Sequence, residues 1–481
     1  MRLQALREEV AHPRTSIQLC MLGIVGGTCA ALIIILFRLC VEWLQETGVS
    51  SLQSVLTYDW LVWLIMPFIS VGLILFIAFL TGFKHYRLGI PFVIHRVKYY
   101  YGHIPFRTTI NQFFGGMLAL AGGFVVGREG PSVHLGASGS SFLGQWLRLP
   151  YNSIRILAGC GIAAGISASF NTPFAAVIFV MEVVLREYKI HIFIPVTFAA
   201  ACGSLITQIV FGESHELSFI QFNEFSRWIY LYLLFLGVAL GCVAYWFNSS
   251  LLWVMNKFSQ FNMAPRLLMA GVLTGLIGYM VPEALGAHFD SAHQLFNEHV
   301  DIGLLFGVLC AKFFLTIIAL GLGIPGGIMG PVFVLGMLSG VMLTVPLGLF
   351  VADTHSLNGS FSLLGMAGLM AAVVHAPLAA LSAVMELSFS PQLILPAMLV
   401  VVPAYVTSTQ FLGNRSVFTK QLDFQKLPYT TSPVAESLQK TGVLAVMNKH
   451  ISVTAEVNAQ YISAIPIDSE NLLIQQTQVD D

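Results

Sequence analysis

Arg128 and Glu129 are the only Asp, Glu, Lys or Arg residues between Arg107 and Arg148, and they sit in an otherwise apolar stretch within Gly127-Arg128-Glu129-Gly130-Pro131. An ionisable residue at membrane depth costs at least about 2.5–3.5 kcal/mol on insertion scales, so it is a functional candidate by default. The plain structural reading is a local Arg–Glu ion pair sealing a helix end, but adjacent residues of a helix do not face one another. Glycine and proline break the helix here, and the run from Ser132 to Gly139 reads as the start of a new half-helix. The exposed N–H groups and positive dipole end of such a start attract an anion. A carboxylate fixed at the same place competes with that anion. The chemistry implied is anion binding controlled by an acid that gains and loses a proton.

The elements that position these residues occur twice. Pro173-Phe174-Ala175-Ala176 with Val180-Met181-Glu182 returns as Pro377-Leu378-Ala379-Ala380 with Val384-Met385-Glu386, a shift of 204 residues. Gly130-Pro131 with Leu135-Gly136 returns 200 residues later as Gly330-Pro331 with Leu335-Gly336, and Ile194-Pro195 returns 201 residues later as Leu395-Pro396. Three anchors in one order at nearly one spacing predict two copies of a unit of roughly 200 residues. Each copy carries helix-breaking steps inside apolar sequence, which is how transport sites are built in membranes. Repeat one is placed at 60–212, with its motifs from Arg107 onward, and repeat two at 264–413, with its motifs from Gly303 onward.

Of the 481 residues, 56% are hydrophobic and only 10% charged, and the mean hydropathy is +0.79. Those values exclude an ordinary soluble domain and predict an all-α polytopic membrane protein. Ile17 to Trp43, Trp60 to Phe83, Trp228 to Met255, Leu267 to Val281 and Gly303 to Gly323 read as spans. Residues 1–16 are polar and lack the short apolar core and cleavage site of a signal peptide. Lys84, Arg87, Arg96, Lys98 and Arg107 place their loop in the cytoplasm by the positive-inside rule. The seven cysteines lie in or beside apolar segments with no CxxC pair, and read as small core residues. A net charge of −1 gives no reason to invoke a nucleic-acid partner.

Gly127 to Pro131 resembles the GREGP signature of the CLC family of chloride channels and chloride/proton antiporters. Pro325-Gly326-Gly327-Ile328-Met329-Gly330-Pro331 resembles that family's GGIFAP stretch, Arg87-Leu88-Gly89-Ile90-Pro91 its GSGIP motif, and Pro173 to Glu182 its PLAGILFIIE segment. Order and spacing match from about residue 17 to 420. The resemblance implies a CLC-type fold with two inverted repeats and broken re-entrant helices. It also implies a homodimer with one pore per subunit in a bacterial inner membrane, with cytoplasmic termini and no cofactor. Glu129 would be the gating, proton-accepting glutamate. Gly127, Arg128, Gly130 and Pro131, the N–H groups of Ile328 and Met329, and Leu88, Gly89, Ile90, Pro91 and Phe418 would form the anion sites.

Three positions depart from the family pattern. Leu88 stands where the family has its pore serine, and Phe418, in Asn414-Arg415-Ser416-Val417-Phe418-Thr419, where it has its pore tyrosine. Both hydroxyl donors of the central site are therefore absent. A hydrogen bond to a charged group is worth roughly 1.5–3 kcal/mol, so a weak central site is expected. Val183 occupies the antiporters' inner proton-transfer position, and Glu182 is expected to point away from it on a helix. These departures favour a channel or loosely coupled carrier of chloride or a similar small anion, with a tightly coupled chloride/proton antiporter as the alternative.

Glu182 and Glu386, nine residues after Pro173 and Pro377, read as structural helix-end acids hydrogen-bonded to nearby backbone, or else as proton sites. Lys312 either snorkels or lends positive potential to the pathway. Gly136-Ala137-Ser138-Gly139 resembles the serine motif of intramembrane proteases, with His375 as the conceivable base. That enzyme class needs no two-fold repeat, and transport is preferred. Gly321 to Gly326 fits G-x-G-x-x-G, but no strand-like unit surrounds it. After about Lys420 the chain turns polar; Val443 to Asn448 and Ile451 to Thr454 resemble the opening of a CBS module, so 421–481 is read as a cytoplasmic tail with a CBS remnant.

Overall fold

Segments this apolar can be buried in lipid only if their backbone is satisfied internally, and the helix does that within a single segment. The structure, a computed structural model, describes residues 2–12, 17–55, 59–83, 88–212, 217, 220, 225–286, 302–349, 355–429, 451–454 and 472–475. The first half holds α1 (Arg2–Ala11), α2 (Ile17–Val55), α3 (Asp59–Thr81), α4 (Gly89–Tyr99), α5 (Phe106–Ala121), α6 (Glu129–Trp146), α7 (Tyr151–Phe170), α8 (Pro173–Phe179, continued by a π turn Val180–Leu185) and α9 (Ile190–Phe211). The second half holds α10 (Arg227–Phe258), α11 (Met263–Met280), α12 (Ile302–Leu322), α13 (Met329–Met342), α14 (Asn358–Val374), α15 (Pro377–Ser388), α16 (Ile394–Val406, continued by a π turn Thr407–Phe411) and α17 (Val417–Phe424).

Among the described residues, nine helical segments are long and apolar enough to cross a membrane. The helix starting at Ile17 does not stop at Trp43 as expected: its 39 residues run to Val55. At about 1.5 Å per residue it outreaches a hydrocarbon core of about 30 Å, so it must tilt or project. The outer helices leave large apolar side chains exposed, including Phe79, Ile209 and Trp228. The inner pair differs: every residue of α7 from Asn152 to Phe170 is buried, as is all of α14 from Ser360 to Val374.

The repeat is visible as matched geometry. Gly123 and Gly323, the counterparts before the two breaks, both have positive φ, at 77° and 98°. Asn171 and His375, at the ends of α7 and α14, are both left-handed at 55° and 60°. The relation is reciprocal as well as similar. The Glu386 carboxylate accepts from the N–H groups of Phe174 and Ala175 at 2.9 and 2.7 Å, and the Glu182 carboxylate accepts from Leu378 and Ala379 at 3.3 and 2.8 Å. Each repeat thus caps the other's half-helix start, which is the signature of a local two-fold relation. Charge-assisted bonds at a helix start, where the dipole is positive, make this a strong structural lock. The structural reading of both acids is the one the contacts support.

Lys312 does not snorkel. It is buried, and its ammonium donates to the carbonyls of Ala284, Leu285 and Gly286 at 3.3, 3.3 and 2.9 Å. Gly286 in turn donates to the Gly123 carbonyl at 3.1 Å, so the lysine ties down the turn that braces the first break. The amino-terminal helix docks on the body: Ser153 Oγ donates to the Val10 carbonyl at 2.7 Å and Asn152 Nδ2 to that of Ala11 at 3.0 Å. At the other end α17 runs through the boundary expected at 420, and Gln421 and Leu422 are buried with it. Farther on, Ile451–Thr454 pairs in parallel with Leu472–Gln475; Val443 to Asn448 lie outside the described residues, as do Lys84 and Arg87. Cys160 is buried, whereas Cys242 and Cys310 are exposed rather than in the core.

Candidate functional site

Helices broken by glycine must find new partners for their freed backbone, and here the two breaks use each other. Gly127 N–H donates to the Gly327 carbonyl at 2.8 Å, and Gly327 N–H to the Gly127 carbonyl at 2.6 Å. This one antiparallel bridge joins the repeats at equivalent residues running in opposite directions. It brings the starts of α6 and α13 together, 200 residues apart in the chain. Pro131 and Pro331 stand third in these helices and have no N–H, so the donors at each start are those of Glu129 and Gly130, and of Met329 and Gly330.

Glu129 lies at this convergence, 1% exposed. Neither carboxylate oxygen has a hydrogen-bond partner. The polar groups acting on it are its own N–H, the N–H of Gly330 from the other repeat, and the Arg128 charge. An acid without a partner, held where two positive helix ends meet, occupies the position that suits an anion. The local ion pair does not form: the Arg128 guanidinium lies over the Phe170 ring, 4.5 Å from its centroid.

Neighbouring residues of the breaks face different cavities. Gly130 and Ile328 line a vestibule of about 80 Å³, together with Leu88, Gly89, Ile90, Pro91 and Phe418. Glu129 and Met329 line a second, smaller cavity of about 30 Å³, whose other walls include Phe179, Met370 and Ala379. That volume holds about two waters. The structure therefore gathers Leu88, Gly89, Ile90, Pro91, Gly130, Ile328 and Phe418 around one space and places Glu129 at the partition behind it. Arg128 and Pro131 line neither cavity. The N–H of Gly89 is already taken by Gln112 Oε1 at 2.8 Å. Sequence reasoning missed Asn111, Arg266, Gln421 and Gln425, the polar side chains of the vestibule wall.

A third space, a cleft of about 330 Å³, is lined by Glu182, Val183, Arg186, Val374, His375, Arg415, Ser416, Thr419 and Tyr429. Glu182 and Val183, consecutive residues of the π turn over 180–185, both line this cleft. Val183 and Val374 of the cleft lie one turn from Phe179 and Met370 of the Glu129 cavity. An apolar collar one helical turn thick thus separates the polar cleft from Glu129. α17 stands between cleft and vestibule: Phe418, Gln421 and Gln425 face the vestibule, and Ser416 and Thr419 face the cleft.

The serine reading finds no dyad. Ser138 Oγ hydrogen-bonds to the His134 carbonyl at 2.8 Å and to Thr109 Oγ1 at 2.9 Å, and His375 belongs to the cleft. Phe418 is 2% exposed on the vestibule wall, so Phe418→Tyr should return a hydroxyl donor there. Chloride binding measured by calorimetry is expected to tighten by up to about 1–3 kcal/mol. Unchanged affinity would place the anion site elsewhere.

A protein-family model for the voltage gated chloride channel matches residues 73–409. The H(+)/Cl(-) exchange transporter ClcA of Salmonella agona is 29% identical over 434 residues, covering 87% of this chain and 91% of that protein. Among solved structures, a slow cyanobacterial Cl-/H+ antiporter superposes with a TM-score of 0.73 at 23% identity, covering 88% of this chain and 98% of that one. A CLC-type fluoride/proton antiporter gives 0.69 at 23% identity, covering 85% and 99%. Breaks paired across two inverted repeats, an acid without a partner where they meet, and a family match over most of the chain lead to one conclusion: this protein is a member of the CLC family and transports anions across a membrane.

Proposed function

We propose that the protein is an exchanger of protons for chloride or a similar small anion, with Glu129 as the group that meets both. The supporting observation is the position of Glu129 between two separate approaches, the vestibule on one side and the collar and polar cleft on the other. Ionised, its carboxylate rests at the two helix starts and excludes the anion by charge and volume. Protonated, it loses that attraction and can leave the position to the anion. A proton arriving through the cleft need not share the anion's route, and alternation of one group between two ligands couples their movements.

Val183 favoured a channel or loose carrier when read alone. Against that stand Glu182 and His375 on the same cleft, one collar away from Glu129, and curated relatives named as H(+)/Cl(-) exchange transporters. Both weigh toward exchange. Glu182 is held by backbone donors, so in this reading the proton crosses the collar on water between the cleft and Glu129. A homodimer in a bacterial inner membrane, with both termini in the cytoplasm, belongs to the same reading and is supported by the family resemblance.

The test is a reversal-potential measurement on purified protein in liposomes under opposed chloride and proton gradients. Uphill proton movement driven by chloride at a fixed ratio is expected. Chloride current that reverses at the chloride equilibrium potential, whatever the proton gradient, would make the protein a channel.

A further inference from the structure

One stripe of α5 opens on the outer surface rather than on the anion path. Phe106, Ile110 and Phe114 line a groove of about 240 Å³ whose other walls include Ile33 of α2 and Leu135 and Phe142 of α6. Phe106 and Phe114 are 62% and 42% exposed. The groove shares no lining residue with the vestibule, the Glu129 cavity or the cleft. Its two hydroxyl side chains are already satisfied, since Ser138 Oγ donates to the His134 carbonyl and meets Thr109 Oγ1 at 2.9 Å. An apolar space of this kind does not hold water, so its occupant is a hydrocarbon.

Between Phe106 and Phe114 the helix rises about 12 Å, most of the roughly 15 Å hydrocarbon depth of one leaflet. Phe106 and Phe142 meet edge to face at 5.8 Å, which sets the start of α5 beside the end of α6. At that end Trp146 is 80% exposed, Tyr101 stacks on Tyr151 at 5.0 Å, and the polar α1 docks through Arg7 on the Leu147 carbonyl at 3.0 Å. Aromatic and basic residues gathered this way mark the headgroup level. Arg107 is exposed there. It precedes Ile110 and Phe114 by three and seven residues, on the groove's own stripe, and a helical side chain leans toward the N-terminal end, here the headgroup end. The first turn of α5 holds no acid and no side chain caps it, so the helix dipole adds to the arginine's charge.

We propose that this groove binds an anionic phospholipid, with one acyl chain lying along α5 and α6 and the headgroup phosphate on Arg107. A flat helix face touches such a chain on one side, whereas three helices touch it here and multiply the close contacts. The fixed charge at the mouth selects the headgroup. The inference needs neither anion transport nor proton coupling.

The test titrates purified protein in detergent with phosphatidylglycerol and, separately, with phosphatidylcholine of the same acyl chains, counting bound lipid by native mass spectrometry. Wild type should hold its tightest phosphatidylglycerol, one per chain, about fivefold more tightly than phosphatidylcholine, the worth of one basic residue at a bilayer surface. Arg107→Gln should erase that preference and keep the binding due to the chains, whereas Ile110→Trp, which fills the groove, should lose both lipids. In parallel, phosphatidylglycerol with a photoreactive acyl chain should label α5 between Phe106 and Phe114 and α6 between Leu135 and Phe142. That labelling uses wild type alone, so it decides the matter if a variant fails to fold. Labelling spread evenly over the outer helices, equal affinity of wild type for the two lipids, or an unchanged preference in Arg107→Gln would overturn the proposal. So would an Ile110→Trp protein whose assembly mass changes while its lipid count does not, which would assign the groove to a second copy of the chain.

Discussion

Replacing Glu129 with alanine is expected to leave anion flux in place while abolishing its pH dependence and all coupled proton movement. Glu129 is the one carboxylate lining either of the two cavities that flank the paired breaks, among the described residues. Its oxygens make no hydrogen bond of regular geometry, and the N–H groups of Glu129 and Gly330 that act on them are left to whatever anion or water takes the vacated position, so the fold should survive the substitution. What it removes is the competitor for the anion position and the only group there able to carry a proton. Chloride-driven proton transport in liposomes should fall to background, and flux measured between acid and neutral pH should become flat. Glu129→Gln should give the same uncoupling with nearly the same volume. Flux that still titrates in Glu129→Ala would transfer the gate to another residue.

Gly130→Ala should be nearly as damaging for a different reason. A Cβ at Gly130 would lie 2.6 Å from the Gly326 carbonyl oxygen, 2.7 Å from its carbon and 2.9 Å from the Gly327 nitrogen. All three are backbone atoms of the opposite repeat and cannot rotate away as a side chain would. The bridge between Gly127 and Gly327 must open or the helix starts must separate, and overpacking of this kind costs about 1–3 kcal/mol. In the proposed reading the displaced helix starts carry the anion-facing donors, so the loss should appear as chloride affinity weakened by about 5- to 150-fold. Calorimetric titration against wild type reads this directly, with size-exclusion profiles confirming that the protein still folds. Unaltered chloride affinity would mean that the meeting point of the breaks is not the anion site.

Features set by local chemistry are legible in the chain itself. Composition compels a membrane protein, because no soluble core needs so much apolar surface. Gly-Pro steps recurring at a shift near 200 residues announce two copies, and an acid stranded in one break announces its role as a candidate gate. Glu182 and Glu386 can be read as helix-end acids from their paired positions, but not which backbone they hold. Each caps the other repeat, about 200 residues away.

Tertiary structure decided what depends on direction and depth. Hydropathy places a residue in an apolar segment without saying which way its side chain faces, so α17 reads as the edge of a tail when it is the wall between vestibule and cleft. That Glu182 and Val183 open on one cleft is likewise decided by the segments packed around them. Lys312 could not be assigned from sequence, because its carbonyl partners come from a turn nearly thirty residues earlier. Arg266 carries no signal at all: one arginine at the start of a helix is ordinary. Only the packed fold brings it to the wall of the vestibule. Local chemistry names the residues that break or burden a helix, and the chain writes that chemistry down directly. Which empty space each side chain faces is a relation among segments distant in sequence, and it exists only once they are packed.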